Sequence, residues 1–347
     1  MKIAINGYGR IGRCILRALY ESGRATRMKI VGINELFDIG SIAHLTRFDS
    51  THGTFGGEVS ISRDCLIVNG DPVRVFNERD LTRLPWKELE VDVVLECSGS
   101  FIDREIASLH LEAGAKRVIF SCPAKADVDA TIVYGLNHHL LNPQHRIISN
   151  ASCTTNCISH LIRILNDRYG IDSGFITTIH SMMNDQPVID AFHNPDLRKS
   201  RSSSNSIIPV TTGLAKGIDR VFPELTGRFK AVAFRVPVLN VSTMQLSAMV
   251  RRTPSVAEIN HLFQKEAAAG LSGILGYTEL PLVSCDFTHD PRSAVVDGSH
   301  TCISGERLVT VMAWFDNEWG YANRMLDTTE ALLAVNAPNQ ARDGSAA

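Results

Sequence analysis

The chain of 347 residues is short of three things, and each shortage narrows what it can be. It has no surplus of either charge: 35 Lys and Arg stand against 37 Asp and Glu, a net charge of −2, so no basic stripe is available for nucleic acid or an anionic membrane. It has no long apolar run, since Gly, Pro or a charged residue interrupts every stretch before the ~18 residues that a membrane-spanning helix requires. It has no cysteine framework either. The eight cysteines, at 14, 65, 97, 122, 153, 157, 285 and 302, are scattered, and none sits with His at the spacing of a four-ligand metal site. The opening residues read as a strand rather than a leader peptide. These absences predict a soluble protein of the reduced cytoplasm whose partners are small molecules or copies of itself, with no nucleic acid, membrane or metal.

The length exceeds one ordinary domain, and 44% hydrophobic residues suffice for two cores. In the first 150 residues, strand-like and helical patterns alternate. Lys2-Ile-Ala-Ile-Asn6 runs into Gly7-Tyr-Gly9-Arg10-Ile11-Gly12 and then into helical spacing at Cys14, Ile15, Leu16, Ala18 and Leu19. A second strand, Met28 to Ile33, ends at Asn34-Glu35, where a dinucleotide-binding unit places an acid for the adenosine ribose. Further strands are predicted at Val91–Leu95, Arg117–Phe120 and Ile147–Ser149. Alternation of this kind implies a doubly wound, mostly parallel Rossmann-type sheet whose ligand lies beyond the carboxyl ends of the strands, near Ser98-Gly99 and Ser121.

After residue 150 the texture changes. Strands at Phe175–His180, Ala231–Val236, Met244–Val250 and Leu308–Phe315 predict an α+β domain with a mixed sheet. The reading is therefore α/β plus α+β. An NAD-binding domain spans 1–150 and is joined by a C-terminal helix at about 318–335, a catalytic domain spans 151–317, and 336–347 is expected to fray. The Ser-, Asn- and Arg-rich stretch between His180 and Ile207, with Pro187 and Pro195, is too long for an idle connection.

Ser149-Asn-Ala-Ser-Cys153-Thr-Thr-Asn-Cys157 places a thiol at a predicted helix start, ahead of the apolar spacing Ile158, Leu161, Ile162 and Leu165. A cysteine is more often packed in a core than reactive. Here, however, Ser152, Thr154, Thr155 and Asn156 crowd the sulfur where a core cysteine would have Leu or Val. Orphan N–H groups and the helix dipole at that position favour thiolate, and an imidazole can exchange its proton. Cys153 is the candidate nucleophile and His180, at the end of the next apolar strand, its acid/base partner. Cys157, one turn on, leaves a redox or metal pair open.

Five segments together carry a resemblance: Ile5-Asn-Gly-Tyr-Gly-Arg-Ile-Gly-Arg13, Ser149–Cys157, Thr177-Thr-Ile-His-Ser181, Phe234-Arg-Val-Pro237 and Asp316-Asn-Glu-Trp-Gly-Tyr-Ala-Asn-Arg324. On these the chain resembles the glyceraldehyde-3-phosphate dehydrogenase superfamily over about residues 1–335. Asp129–Gly135, Tyr277–Val283 and Asn323–Thr329 are similar to its erythrose-4-phosphate branch. The resemblance implies NAD as cofactor. It assigns Gly7, Gly9, Arg10, Ile11 and Gly12 to the pyrophosphate turn, Glu35 to the ribose and Arg79 to the adenine side. Ser98, Gly99 and Ser121 fall to the nicotinamide half, and Asn317 to the carboxamide. It also implies substrate-phosphate contacts from Arg235 and from Lys199, which stands where the family generally has arginine, and a second anion site at Ser152, Thr154, Thr212 and Gly213. Met183 stands where the glyceraldehyde-phosphate enzymes usually have a phosphate-binding threonine. Losing that donor should weaken the site by roughly 1.5–3 kcal/mol.

The implied reaction is oxidation of D-erythrose 4-phosphate to 4-phospho-D-erythronate through a Cys153 thiohemiacetal and thioester, with the product feeding pyridoxal 5′-phosphate synthesis. The resemblance further implies a homotetramer in which the 181–206 loop packs across a subunit interface. Water and inorganic phosphate both stay open as acyl acceptor. A phosphorylating glyceraldehyde-3-phosphate dehydrogenase is the alternative, and a non-turning-over NAD-binding redox sensor using Cys153 and Cys157 is a third reading.

Because a carboxylate at the end of the second strand accepts from a free ribose 2′-OH and repels a 2′-phosphate, Glu35→Ala should relax the preference for NAD over NADP. The ratio of kcat/KM for the two cofactors measures this, and an unchanged ratio would refute the assignment.

Overall fold

The computed structural model describes residues 1–192 and 196–335. The expected frayed tail at 336–347, and Pro195 of the long polar stretch, lie outside the described residues. The chain divides into two compact units. Of the described residues, one contains Met1–Phe48, Thr54–Ala151 and 324–335, and the other contains Asp49–Gly53 and those of 152–323. Among the described residues no helix is long and apolar enough to cross a membrane.

The first unit is built on a nine-stranded sheet. Its order is Ala130–Thr131, Ile147–Ser149, Arg117–Phe120, Val93–Glu96, Lys2–Asn6, Lys29–Asn34, Asp71–Phe76, Cys65–Val68 and Val59–Ser62. The first seven run parallel, and the last two are added antiparallel. The central strand, Lys2–Asn6, is the first in the sequence and has the second and the Val93–Glu96 strand as its neighbours. Strand order thus departs in both directions from one point, which is where such sheets open a crevice at their carboxyl ends. Trp86, Val91, Val94, Val118 and Phe120 fill a core against one side of the sheet.

The glycine turn works through backbone rather than side chains. Gly7 lies at φ +85° and is packed so closely on Ser98 that a Cβ there would be driven into the Ser98 backbone. A Cβ on Gly12 would strike the Gly7 carbonyl, whereas one on Gly9 would stand in open space. The helix Arg10–Glu21 starts at Gly9 with no side chain capping it. A helix start without a capping side chain is a common seat for an anionic ligand.

In the second unit a seven-stranded mixed sheet has the order Ile208–Val210, Phe229–Val236, Ile171–Ser181, Ser242–Val250, Leu308–Phe315, Ala294–Ser304 and Leu275–Thr278. Leu308–Phe315 alternates half-buried and buried residues along its whole length, as a strand with one covered face must. The helix Cys153–Tyr169 packs on Ser242–Val250, and Val256–Ala268 on Leu275–Thr278 and Ala294–Ser304. The strand holding His180 begins earlier than its apolar pattern indicated. Asp172, Ser173 and Gly174 precede the predicted strand, yet Ser173 and Gly174 pair with Ser242–Val250 and Gly174 also with Phe229–Val236, while Asp172 falls at a register shift. The three-stranded extension at 59–76 went unread because Gly, Asn and Asp break it into pieces of four to six residues.

Gly7→Ala tests whether the glycine turn is sterically fixed. A non-glycine residue at this φ, pressed on Ser98, should cost at least about 1–3 kcal/mol. Urea unfolding should show the loss of stability and NAD titration a weakened affinity; wild-type values for both would contradict the packing described.

Candidate active site

Cys153 is the first residue of the helix Cys153–Tyr169, and Ser152 is its cap. The Ser152 hydroxyl accepts from Thr155 N at 3.0 Å and lies 2.9 Å from Thr154 Oγ1 and 2.8 Å from Thr155 Oγ1. Four polar residues therefore surround the sulfur because they build a helix start, and the apolar face begins one turn later. The preceding Ala151 is held in the left-handed region at φ +56°, its N–H donating to Ser149 Oγ at 3.1 Å. A non-glycine residue kept there costs of order 1–3 kcal/mol, and such outliers cluster at functional sites.

The imidazole of His180 reaches this sulfur, with Nε2 3.7 Å from Cys153 Sγ. On the other side of the ring Nδ1 lies 2.8 Å from the Ser181 carbonyl. A carbonyl can only accept, so Nδ1 carries the proton and Nε2 presents a lone pair to the thiol. Arg235 sits in register with His180 on the adjacent parallel strand. Its Nη1 is 3.4 Å from the same carbonyl and 3.2 Å from Nδ1. Two donors converge on one acceptor, and the fixed positive charge keeps the ring neutral. Burial, followed by Arg235, pulls the His180 imidazole down to about 4.

The expected thiolate is not the resting state of this chain. Arg235 and the N–H groups of Thr154 and Cys153 do pull the thiol down, as a helix start should. Burial outweighs them and pushes Cys153 up to about 11. The resting pair is a thiol facing a neutral imidazole. Cys157 is fully buried, its thiol raised well above the usual range by the same loss of solvent, and it forms no disulfide.

Around this pair, Lys199 Nζ is bound to Asp185 Oδ2 at 2.6 Å. Burial would raise the Asp185 carboxyl, but Lys199 and Arg235 together hold it low. The lysine charge is thus partly spent on a neighbour that the sequence reading did not weigh. Met183 has an exposed side chain in a turn closed by Gln186. Gly213 precedes the helix Leu214–Val221, where Leu214 N donates to Thr212 Oγ1 at 3.2 Å.

Asn317 is fixed by residues that the sequence pattern did not single out. Its Oδ1 accepts from Ser181 Oγ and Ser242 Oγ, each at 2.9 Å, and Ser242 Oγ also accepts from Ser181 N at 3.1 Å. With the oxygen occupied, the Asn317 NH₂ is left to donate outward. Val241, just before Ser242, is β-branched yet sits at φ +65°, locked by contact with Phe287 and Val295. Packing thus enforces the strained turn that delivers Ser242.

In the first unit a cavity of about 420 Å³ opens at the carboxyl ends of the parallel strands. Of the residues expected there, Gly7, Gly9, Glu35, Arg79 and Ser98 line it. Arg10, Ile11 and Gly12 form the helix turn behind Gly9, and Ser121 follows the strand Arg117–Phe120. Glu35 accepts from Tyr8 N at 2.7 Å and from its own neighbour Leu36 N at 2.7 Å, which ties the second strand to the glycine turn.

Beneath the cavity lies a buried network that no motif announced. Glu96 accepts from Asn6 Nδ2 at 2.6 Å, from Ser98 N at 2.9 Å and from Ser98 Oγ at 2.5 Å. Trp86 Nε1 donates to His110 Nδ1 at 3.1 Å, so the other His110 nitrogen carries the proton that faces Glu96 at 3.2 Å. Asn34 joins through Asn6 Oδ1 at 2.7 Å. The one available signal was a polar residue ending each of three apolar strands.

The uncapped helix start, the open space at Gly9 and the acid at the second strand fit a dinucleotide. A family model described as the NAD binding domain of glyceraldehyde 3-phosphate dehydrogenase matches residues 1–104, and one for the C-terminal domain of glyceraldehyde 3-phosphate dehydrogenase matches 152–317. Fold and matches together define an NAD-dependent oxidoreductase with a Rossmann-like N-terminal sheet and a C-terminal mixed-sheet domain. The chain belongs to the glyceraldehyde 3-phosphate dehydrogenase superfamily, and NAD is its cofactor.

Since the Arg235 charge stabilises thiolate, Arg235→Gln should move the midpoint of Cys153 alkylation to higher pH. Less of the sulfur is then reactive at neutral pH. Iodoacetamide labelling rates across a pH series measure the midpoint, and an unmoved or lowered midpoint would contradict the electrostatic role.

Proposed function

We propose that the chain oxidises D-erythrose 4-phosphate to 4-phospho-D-erythronate with NAD, through covalent intermediates on Cys153. The observation that carries the chemistry is the pairing of Cys153 Sγ with the unprotonated Nε2 of His180 at 3.7 Å, in a ring held by the Ser181 carbonyl. As sulfur attacks the aldehyde carbon, Nε2 takes the thiol proton and returns it to the developing alkoxide, giving a thiohemiacetal. Nε2 then removes that hydroxyl proton. NAD, when bound, supplies the hydride acceptor that leaves a thioester on Cys153. The imidazolium releases that proton to solvent; Nε2 then deprotonates a water that attacks the thioester, the C–S bond breaks, and the imidazolium so formed reprotonates the departing sulfur while the product acid ionises. The Cys153 N–H, at the helix start beside the sulfur, is the natural donor to each oxyanion.

In this reading Gly7, Gly9, Arg10, Ile11 and Gly12 cradle the pyrophosphate, and Glu35 and Arg79 take the adenosine half. Ser98, Gly99, Ser121 and Asn317 take the nicotinamide half, with the outward NH₂ of Asn317 donating to the carboxamide. Glu96 acts through Ser98 and Asn6, so it is a positioning residue. Arg235 and Lys199 hold the substrate phosphate, and Met183 sets the choice of sugar. A thioether offers no donor, which disfavours the shorter glyceraldehyde 3-phosphate and is tolerable for a substrate whose phosphate lies one carbon farther out. The resemblance alone supports a cytoplasmic homotetramer and a product used in pyridoxal 5′-phosphate synthesis.

One observation favours a phosphorylating glyceraldehyde-3-phosphate dehydrogenase instead. The hydroxyls of Ser152 and Thr154 lie 2.9 Å apart at the helix start and, with Thr212 and Gly213, would form a second anion site for inorganic phosphate.

Steady-state kcat/KM for the two sugar phosphates, with and without inorganic phosphate, separates the readings. Erythrose 4-phosphate should be preferred without a phosphate requirement, and Met183→Thr should raise relative activity on glyceraldehyde 3-phosphate by about tenfold. A phosphate requirement with about a hundredfold preference for glyceraldehyde 3-phosphate would overturn the proposal.

A further inference from the structure

At the opposite end of the first unit's sheet from the cofactor cavity, the amino ends of the parallel strands surround an open cavity of about 820 Å³. Asp92 precedes the strand Val93–Glu96, Lys116 and Arg117 open Arg117–Phe120, and Arg146 precedes Ile147–Ser149. Arg27, before the second strand, Glu330, on the helix Trp319–Ala334, and the Met1 ammonium, which donates to the Arg27 carbonyl at 3.1 Å, add to its charged lining.

The charges in this cavity do not cancel. Lys116 pairs with Asp92 at 2.7 Å and Arg27 with Glu330 at 3.0 Å. That uses both carboxylates of the lining. Arg117 and Arg146 have none. Arg117 donates only to backbone carbonyls, from Nε to His145 O at 3.2 Å and from Nη2 to Pro143 O at 3.5 Å, and its Nη1 has no acceptor among the described residues. Arg146 Nε reaches only the Lys116 carbonyl, at 3.4 Å.

Arg117 is only 9% exposed and makes no ion pair of its own among the described residues, the nearby Asp92 being bound to Lys116. Burial pulls its affinity for the proton below the ordinary range, and the neighbouring Arg146 adds to this while Asp92 opposes it. A buried, uncompensated guanidinium is costly, and in a cleft open to solvent an anion offsets that cost. Its carbonyl partners also fix the plane of the group, so the remaining N–H edge is pre-oriented, which suits phosphate better than a freely rotating ammonium would.

We propose that this cavity is a second anion site, separate from the dehydrogenase chemistry, which binds a small polyphosphate chain across Arg117 and Arg146. Two unpaired guanidiniums call for more than one negative charge on the ligand. The volume exceeds what a single phosphate fills and falls in the range of small-molecule sites. Leu333, Ala334 and Pro143 give part of the wall an apolar surface on which a nucleoside attached to the chain could lie. The concave shape and the net charge of −2 on the whole chain disfavour a nucleic acid, which needs an extended basic face.

The test is calorimetric titration of the full-length protein, saturated with NAD, with inorganic tripolyphosphate, followed by ATP. One saturable tripolyphosphate site is expected. It should weaken at least about tenfold in Arg146→Glu, whose side chain is exposed, and in Arg117→Met, and persist in Arg235→Gln. NAD affinity and dehydrogenase turnover of Arg146→Glu should remain those of the wild type. Displacement of ATP by tripolyphosphate would extend the site to nucleotides, and failure of ATP to compete would restrict it to the inorganic chain. The proposal is overturned if tripolyphosphate does not saturate, if Arg146→Glu binds it undiminished, or if Arg235→Gln abolishes it.

Discussion

One hydrogen bond governs the chemistry of this protein: the 2.8 Å contact between Nδ1 of His180 and the carbonyl of Ser181. It decides which imidazole nitrogen is bare, and so whether the ring can accept a proton from Cys153. The same residue, through its side chain, orients Asn317. Ser181 ends a strand paired on one side with Phe229–Val236, which brings Arg235 beside the ring, and on the other with the strand that starts at Ser242. Sheet register, more than any loop, sets the positions of the imidazole, the guanidinium and the carboxamide.

Burial and charge act against each other at this pair. A thiol at a helix start and an imidazole nearby suggest an ion pair, but partial loss of solvent disfavours the charged form of each, and a nearby guanidinium favours thiolate while disfavouring imidazolium. The neutral pair wins at rest. Charge then separates only as bonds to substrate form, where oriented N–H donors stabilise the developing oxyanion without having to reorganise.

Sequence made some parts of this legible and hid others for physical reasons. The strand Lys2–Asn6, the glycine turn and the helix Cys153–Tyr169 could be read because each rests on local chemistry: apolar spacing, φ-permissive glycine, a serine cap. Four of the mixed sheet's seven strands were found by their β-branched runs, whereas Ile208–Val210, Leu275–Thr278 and Ala294–Ser304 went unread. What stayed hidden depends on contacts remote in sequence. Ser242 and Asn317 lie 75 residues apart and meet only through strand pairing. Glu96, Asn6 and His110 form a network whose members look like ordinary strand and helix residues until the fold joins them. Lys199 is assigned to the substrate phosphate by resemblance alone, and nothing in a sequence shows that Asp185 binds it.

The most direct test of the account is the protonation state of His180 itself. Long-range ¹H–¹⁵N correlation spectra of ¹⁵N-labelled, NAD-free protein at neutral pH distinguish the two neutral tautomers from the imidazolium. The account predicts the pattern of a neutral ring with its proton on Nδ1. A ring protonated on Nε2, or on both nitrogens, would contradict it.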